Sequence, residues 1–327
     1  MIAVTGANGL LGSFIVRELI RSKKSFVALK RKQSDTSLLT DLNGQISWRT
    51  ADVLDPVALE EAFSDVTHVI HAAAVVSFNP ANERKIYDIN VCGTHNVVNA
   101  CMSRNVQRLL HVSSVAALGR QKGQVLIDEN NKWLESSINS RYGESKYLAE
   151  LEVFRAQEEG LSTVIVNPSV ILAAADWLKS SAQLFKYVWD EKPFYLDANL
   201  NYVDVRDVAV AAIHLLDSRI EGERFIASAG AIPFIDFFGR VATTFGKKRP
   251  TMQLSPGTLR IAAAVETVRS RMMRKEPLLT KETVRLAGTR FTYDNRKITK
   301  TLNFEFQPID ATIQWCCAHY LNFIAKK

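Results

Sequence analysis

Cysteine is scarce, with four residues in 327, at Cys92, Cys101, Cys316 and Cys317. None forms a Cys-x-x-Cys pair or stands with histidine at zinc-ligand spacing, so a disulfide scaffold and a structural zinc module are excluded and no metal is expected. No apolar run reaches the ~18–20 residues that a spanning helix needs. The opening Met1-Ile2-Ala3-Val4 reads as a strand, leaving no room for a targeting peptide. Few thiols and no leader point to a reducing cytoplasm. Neither sign of charge dominates: 41 Lys+Arg stand against 34 Asp+Glu, a net +7. The cations are spread along the chain without interleaved aromatics, so no nucleic-acid partner is expected. What is present, 47% hydrophobic and 23% charged residues, is the composition of a globular domain with a sizeable core.

Hydrophobic periodicity predicts strands over Ile2 to Thr5, Ser25 to Lys30, Ile46 to Thr50, Thr67 to His71, Leu109 to Ser113 and Ser162 to Val166. Helices are predicted over Leu10 to Ser22, from Pro56 to about Phe63, over Asn82 to Asn105 and over Tyr142 to Gly160. This alternation predicts an α/β fold, a Rossmann-type doubly wound parallel sheet. After Pro168 the alternation weakens, resumes as strand-to-helix over Tyr202 to Leu216, and gives way to amphipathic helices over 230–327. We therefore expect a dinucleotide-binding domain of residues 1–167 plus about 200–228. A smaller, mostly helical substrate lobe would take about 168–199 plus 229–327, with no Pro/Gly linker between them.

Thr5-Gly6-Ala7-Asn8-Gly9-Leu10-Leu11-Gly12 follows the first strand and opens the first helix. In that context three glycines build a dinucleotide site: Gly6 for the tight turn, Gly9 for approach to a pyrophosphate, Gly12 for helix–strand packing. Asn8, Leu10 and Leu11 complete the turn, and the helix start offers free N–H groups to phosphate. An NAD site places a carboxylate at the end of the second strand to hold the ribose 2′-hydroxyl. Here the chain reads Lys30-Arg31-Lys32, cations suited to a 2′-phosphate, so NADP(H) is the expected cofactor, with NAD the alternative. Asp52 and the Val53 N–H after the third strand can receive an adenine edge. The small Ala72 and Ala73 after the fourth would let a cofactor lie close. Asp55 is the better cap for the helix that Pro56 opens.

Tyr142-Gly143-Glu144-Ser145-Lys146 sets a phenol and an ammonium four residues apart on one helical face. A cation one turn away and the helix N-terminus favour the phenolate, which would let Tyr142 act as a general acid or base near neutrality. Ser113-Ser114 ends a strand whose carboxyl end faces the ligand crevice, where a hydroxyl can hold a substrate carbonyl.

In order and spacing, the Gly-rich turn, strand-end serine and Tyr-x-x-x-Lys resemble the extended short-chain dehydrogenase/reductase family, the epimerase/dehydratase-type Rossmann enzymes. Asn90-Val91-Cys92-Gly93-Thr94 and Tyr202-Val203-Asp204-Val205-Arg206-Asp207-Val208-Ala209 extend the resemblance to about residue 216. It implies Tyr142 as proton donor and Lys146 as the ribose-binding residue that tunes it. Ser114, five residues before Gly119, would polarise the carbonyl. Asn90 would belong to a proton relay, and Pro168 and Val170 would line the cofactor. Asn167 stands where the family usually has Arg, a departure.

Two branches compete. The cations after the second strand are similar to those of dihydroflavonol reductase/3β-hydroxysteroid dehydrogenase-like members. That resemblance implies hydride transfer to or from a carbonyl/alcohol of a small, largely apolar substrate, with Ala173-Ala174-Ala175 and Trp177 as lining. The alternative is a nucleotide-sugar epimerase or dehydratase with tightly held NAD. It lacks its acidic residue and the usual Gly-rich turn and Arg in Tyr195 to Asn201. A redox sensor that only binds dinucleotide is a third reading, which the intact Ser114, Tyr142 and Lys146 oppose. Residues 257–275 form a basic amphipathic stretch that packs on the lobe, covers the pocket, or meets an anionic membrane surface. Cys316-Cys317 reads as packing. Tyr147 and Phe154 are candidates for a homodimer face, as family members pair through long helices. His71 and His111 sit in buried strands without partners for a metal or triad role.

Overall fold

The computed structural model describes the chain except residues 122, 137, 178–179, 255–256, 259–289 and 326–327. All but two residues of the basic stretch 257–275 therefore lie outside the described residues.

The chain begins β1 (Ile2–Thr5), α1 (Leu10–Arg21), β2 (Phe26–Lys30), β3 (Trp48–Thr50), α2 (Pro56–Ala62), β4 (His68–His71). It continues α3 (Glu83–Tyr87), α4 (Gly93–Ser103), β5 (Arg108–Val112), β6 (Leu126–Ile127), α5 (Arg141–Glu158), β7 (Ser162–Pro168) and β8 (Val170–Leu172). Then come α6 (Gln183–Trp189), β9 (Phe194–Tyr195), β10 (Asn199–Asp204), α7 (Val205–Asp217), β11 (Glu223–Ala227), β12 (Gly230–Pro233) and α8 (Phe234–Phe245). Helices Arg296–Leu302 and Ile309–Ala325 close the described chain.

Seven strands form one sheet in the order β11-β7-β5-β4-β1-β2-β3. Every pairing in it is parallel, the arrangement the alternation predicts. Buried on both faces, its strands read as apolar runs: Leu110, Val112, Val164, Val166 and Phe225 meet α1 and α7 on one side. Leu109, Ile165 and Val69 meet α2, α4 and α5 on the other. Strand order reverses between β1 and β4, which opens the ligand crevice at their carboxyl ends. Asp55 caps α2 through the Ala58 N–H, as the sequence indicates.

The single helix expected over Asn82 to Asn105 is α3 and α4 joined by a π-turn, Asp88–Cys92. One extra residue in the turn swings Asn90 inward, a feature helical periodicity does not encode. Within the stretch 200–228, α7 packs on α1 and β11 is a sheet edge. β10 instead joins β8 and β12 in a separate three-stranded sheet. That sheet, α6, α8 and helix Ile309–Ala325 enclose an aromatic core of Phe185, Phe237, Phe238 and Tyr320. Cys316 and Cys317 are buried in it as free thiols. Tyr147 stacks on Trp133 within the chain, rings 4.8 Å apart, and Phe154 packs against the α5 side of the core. Leu151 is the exposed apolar residue of α5.

Candidate active site

The Gly-rich turn leaves β1 through Gly6, whose φ of +66° favours glycine. A side chain there would lie 2.6 Å from the Ala73 backbone, and one on Gly12 only 2.0 Å from the Gly6 carbonyl. The turn thus packs against Ala72 and Ala73 with no space between. The first turn of α1 has neither a side-chain cap nor an acidic residue, so its N–H groups remain available to an anion. Asn8 donates from Nδ2 to the Asp35 carbonyl at 3.0 Å, tying the turn to the loop after β2.

Of the cations in that loop, Lys30 lies over the Trp48 ring of β3, 5.1 Å from its centroid. Arg31 is anchored by its backbone N–H to Ser34 Oγ, and its guanidinium has no partner among the described residues. Arg31 and Lys32 are both exposed. Asp52 accepts from the Leu54 N–H through Oδ1 at 3.0 Å, which fixes the bend where Val53 begins. Pro168 ends β7, and Val170 begins β8 half in solvent.

Ser140 caps α5 by accepting from the Gly143 N–H at 2.7 Å, which sets Tyr142 in the first turn of the helix. Ser114 caps the 3₁₀ turn Val115–Leu118 by accepting from the Ala116 N–H, and its hydroxyl lies near enough to the Tyr142 phenol to pull that group's pKa down. The serine and tyrosine, 28 residues apart in sequence, are thus brought near one another. Phe78 stands edge-on to the Tyr142 ring, centroids 6.0 Å apart.

Lys146 is 1% exposed. Its Nζ donates to the Val112 carbonyl at 2.8 Å and to His111 Nε2 at 3.3 Å. Burial lowers its pKa to about 8 against the attraction of Glu150. The expected lowering of the Tyr142 pKa is not what the structure shows. Burial pushes the phenol up to about 12, the Ser114 bond pulls it down, and Lys146, turned to β5, is not among the groups that move it.

Asn90 is buried and bonded on three sides: Oδ1 accepts from the Val75 N–H at 2.8 Å, and Nδ2 donates to the Val75 carbonyl and to Ser145 Oγ. It clamps the segment after β4 to the helix that carries Tyr142 and Lys146. Asn167 donates from Nδ2 to the Ser114 carbonyl at 3.0 Å and to Glu150 at 2.5 Å. Glu150, fully buried, also accepts from Arg224 at 3.1 Å. The guanidinium missing from position 167 thus arrives from the neighbouring strand.

Sequence reasoning did not connect the two strand histidines to this site. Ala73 N–H donates to Thr5 Oγ1, which contacts His71 Nδ1 at 2.7 Å. His71 Nε2 contacts Thr94 Oγ1 at 3.0 Å, and that hydroxyl donates to the Asn90 carbonyl at 2.6 Å. Because Thr94 gives its one proton to Asn90, His71 must carry its proton on Nε2 and accept from Thr5 on Nδ1. Burial and the nearby Lys146 lower the His71 pKa to about 3, so the ring is neutral.

Among the described residues there is no cluster able to hold a metal and no helix long and apolar enough to cross a membrane. The NAD dependent epimerase/dehydratase family model matches residues 2–227. The chain is 27% identical over 307 residues to a putative dihydroflavonol 4-reductase of Synechocystis, covering 91% of this chain and 88% of that one. It is 28% identical over 313 residues to the decarboxylating sterol-4-alpha-carboxylate 3-dehydrogenase of Schizosaccharomyces pombe, covering 91% and 90%. The fold is shared with UDP-glucose 4-epimerase of Thermotoga maritima, TM-score 0.80 at 18% identity, covering 99% of both chains. With the phosphate turn, the serine–tyrosine contact and the buried lysine in place, the chain belongs to the NAD dependent epimerase/dehydratase family and is by that membership an NAD(P)-dependent oxidoreductase.

Proposed function

We propose that the chain is an NADP(H)-dependent oxidoreductase acting on a carbonyl/alcohol pair of a small, largely apolar substrate. The observation that carries this reading is the placement of the Ser114 hydroxyl, two residues past β5, where it acts on the Tyr142 phenol in the first turn of α5. The residues present fit the dinucleotide. The turn has no room for a side chain at Gly6 or Gly12, the α1 start is uncapped, and the Arg31 guanidinium is uncommitted among the described residues.

A bound dinucleotide would supply or receive hydride at the substrate carbon. The protein's own groups handle the oxygen. In reduction, Ser114 and Tyr142 hold the carbonyl oxygen, and the Tyr142 proton passes to the alkoxide as it forms. In oxidation, Tyr142 takes the hydroxyl proton. Lys146 of α5, held by its bonds to β5, would offer its remaining N–H to the nicotinamide ribose. We read Asn90 as holding α5 in place through Ser145, the contribution its bonds support, rather than as a relay member.

An apolar substrate is supported by Val76, Phe78 and Val170, which expose apolar surface beside the site, and by the relatives named for a dihydroflavonol and a sterol substrate. Fluorescence titration with NADPH and NADH tests the cofactor. A charge-assisted contact to the 2′-phosphate is worth ~1.5–3 kcal/mol, or ~10–100-fold in affinity. NADH winning, or NAD held tightly on purification, would move the epimerase/dehydratase reading ahead. Tyr142→Phe should abolish turnover of an aldehyde or ketone while leaving dinucleotide affinity within about twofold. Loss of neither would reject the proton-donor role. A soluble monomer–dimer equilibrium through the α4–α5 face, where Leu151 is exposed, belongs to the same proposal and is read by sedimentation.

A further inference from the structure

We propose that His111 is a positioning residue for this chemistry: its neutral imidazole accepts a hydrogen bond from the Lys146 ammonium and so fixes both the place and the charge of that lysine. The inference rests on the reading of Tyr142 and Lys146 as the reacting pair. It begins with an oddity of β5, Arg108-Leu109-Leu110-His111-Val112, whose inner positions otherwise bury apolar side chains. The His111 ring is fully buried, yet its Nδ1 has no partner. A buried polar nitrogen left unpaired costs free energy that an apolar ring would avoid, so its presence calls for a reason.

The other nitrogen supplies the reason. An ammonium has three donors and no acceptor, so the contact of Lys146 Nζ with His111 Nε2 at 3.3 Å requires a bare Nε2. His111 must then carry its proton on the unpaired Nδ1. Burial, the Lys146 charge and His71 all hold the ring well below its usual pKa, which keeps Nε2 free to accept. With the Val112 carbonyl at 2.8 Å, two of the three lysine protons are held by one strand and the third is left over.

The other groups around Lys146 do not replace this contact. His71, on β4, lies 5.2 Å from the His111 ring between centroids, but Thr5 and Thr94 occupy both its nitrogens. Glu150, one turn further along α5, attracts the ammonium while its oxygens bind Asn167 and Arg224. Tyr142, one turn earlier, is influenced by burial and Ser114 and not by Lys146. Without His111 the ammonium keeps one acceptor in a dry site, and the neutral amine becomes the favoured form.

The test is an NMR titration of lysine labelled with carbon-13 at Cε, the Lys146 resonance being the one lost in Lys146→Met. Wild type should titrate near pH 8, and His111→Phe should lower that midpoint by about one pH unit or more. His111→Gln, whose amide oxygen reaches the Nε2 position, should restore at least half of the shift. If the Phe variant does not fold, the smaller His111→Leu serves for it. An unmoved midpoint overturns the proposal, and so does an equal fall in the Phe and Gln variants, which marks packing alone. The titration needs no dinucleotide, so a chain that bound neither NADPH nor NADH would refute the proposed function and leave this contact measurable. In the loaded protein, NADPH affinity should weaken as pH passes the Lys146 midpoint, about one unit earlier in His111→Phe; coincident profiles count against the proposal.

Discussion

Gly12→Ala puts the steric argument for the phosphate turn at risk. Gly12 is the third residue of α1, a position where alanine is ordinarily better than glycine by ~1 kcal/mol. Propensity alone therefore predicts a more stable protein. The added carbon, however, would lie 2.0 Å from the Gly6 carbonyl oxygen and 2.8 Å from its carbon. Both are backbone atoms that no rotamer change can move. Overpacking of this kind costs ~1–3 kcal/mol and sometimes more, and contact with rigid backbone belongs at the upper end. The net expectation is a loss of about 2 kcal/mol, or ~3 °C in Tm for a chain of this size. Dinucleotide affinity should fall with it, because relief of the clash pushes the turn off Ala73. Gly239→Ala, inside α8 with open space where the carbon would go, should gain ~0.5–1 kcal/mol. Differential scanning calorimetry of the pair decides: a Gly12→Ala protein within ~0.5 kcal/mol of wild type would refute the reasoning.

Other expectations follow from the charges. Burial raises the Asp207 pKa to about 6, opposed by the Gln307 N–H bond. The folded state therefore holds a proton that the unfolded chain releases near pH 4. Stability from this group is full below about pH 4 and is lost as pH rises to about 6, by ~2 kcal/mol. Asp207→Asn should flatten urea-unfolding free energies across that window, and an unchanged slope would count against it. Glu150→Ala leaves the Arg224 guanidinium, 17% exposed, without its carboxylate and should cost ~3 kcal/mol, with a smaller loss when Arg224→Met is made with it. Arg31→Glu should weaken NADPH binding by about 10–100-fold and change NADH little; equal weakening of both would remove Arg31 from the 2′-phosphate.

Much of this was visible in the chain because local rules and tertiary outcome agree. The Gly-rich turn, Ser114, Tyr142 and Lys146 each sit where a strand end or helix start predicts them. The parallel sheet follows from alternation. What stayed hidden depends on strand neighbours far apart in sequence. Nothing around Lys30 announces that Trp48 of β3 will take it, leaving Arg31 and Lys32 exposed. Asn167 reads as a gap in the family pattern until β11 pairs beside β7 and brings Arg224 to Glu150. His111 looks like one more core residue until α5 lays Lys146 against it. The π-turn at Asn90 has a composition that suits α-helix equally, so its extra residue shows only in space.

The hydrogen-bonded chain from Ala73 through Thr5, His71 and Thr94 to Asn90 has one further consequence. Its protons can be arranged in only one direction, since it starts at a backbone N–H and ends at a backbone carbonyl. Reversal would strand both ends, so the chain behaves as a ratchet pawl between the loop after β4 and the π-turn, with each bond polarising the next. Slow exchange of the Ala73 amide proton would then be a clock for both segments at once: the loop after β4 could not loosen without the turn that braces the Tyr142 helix loosening in the same event.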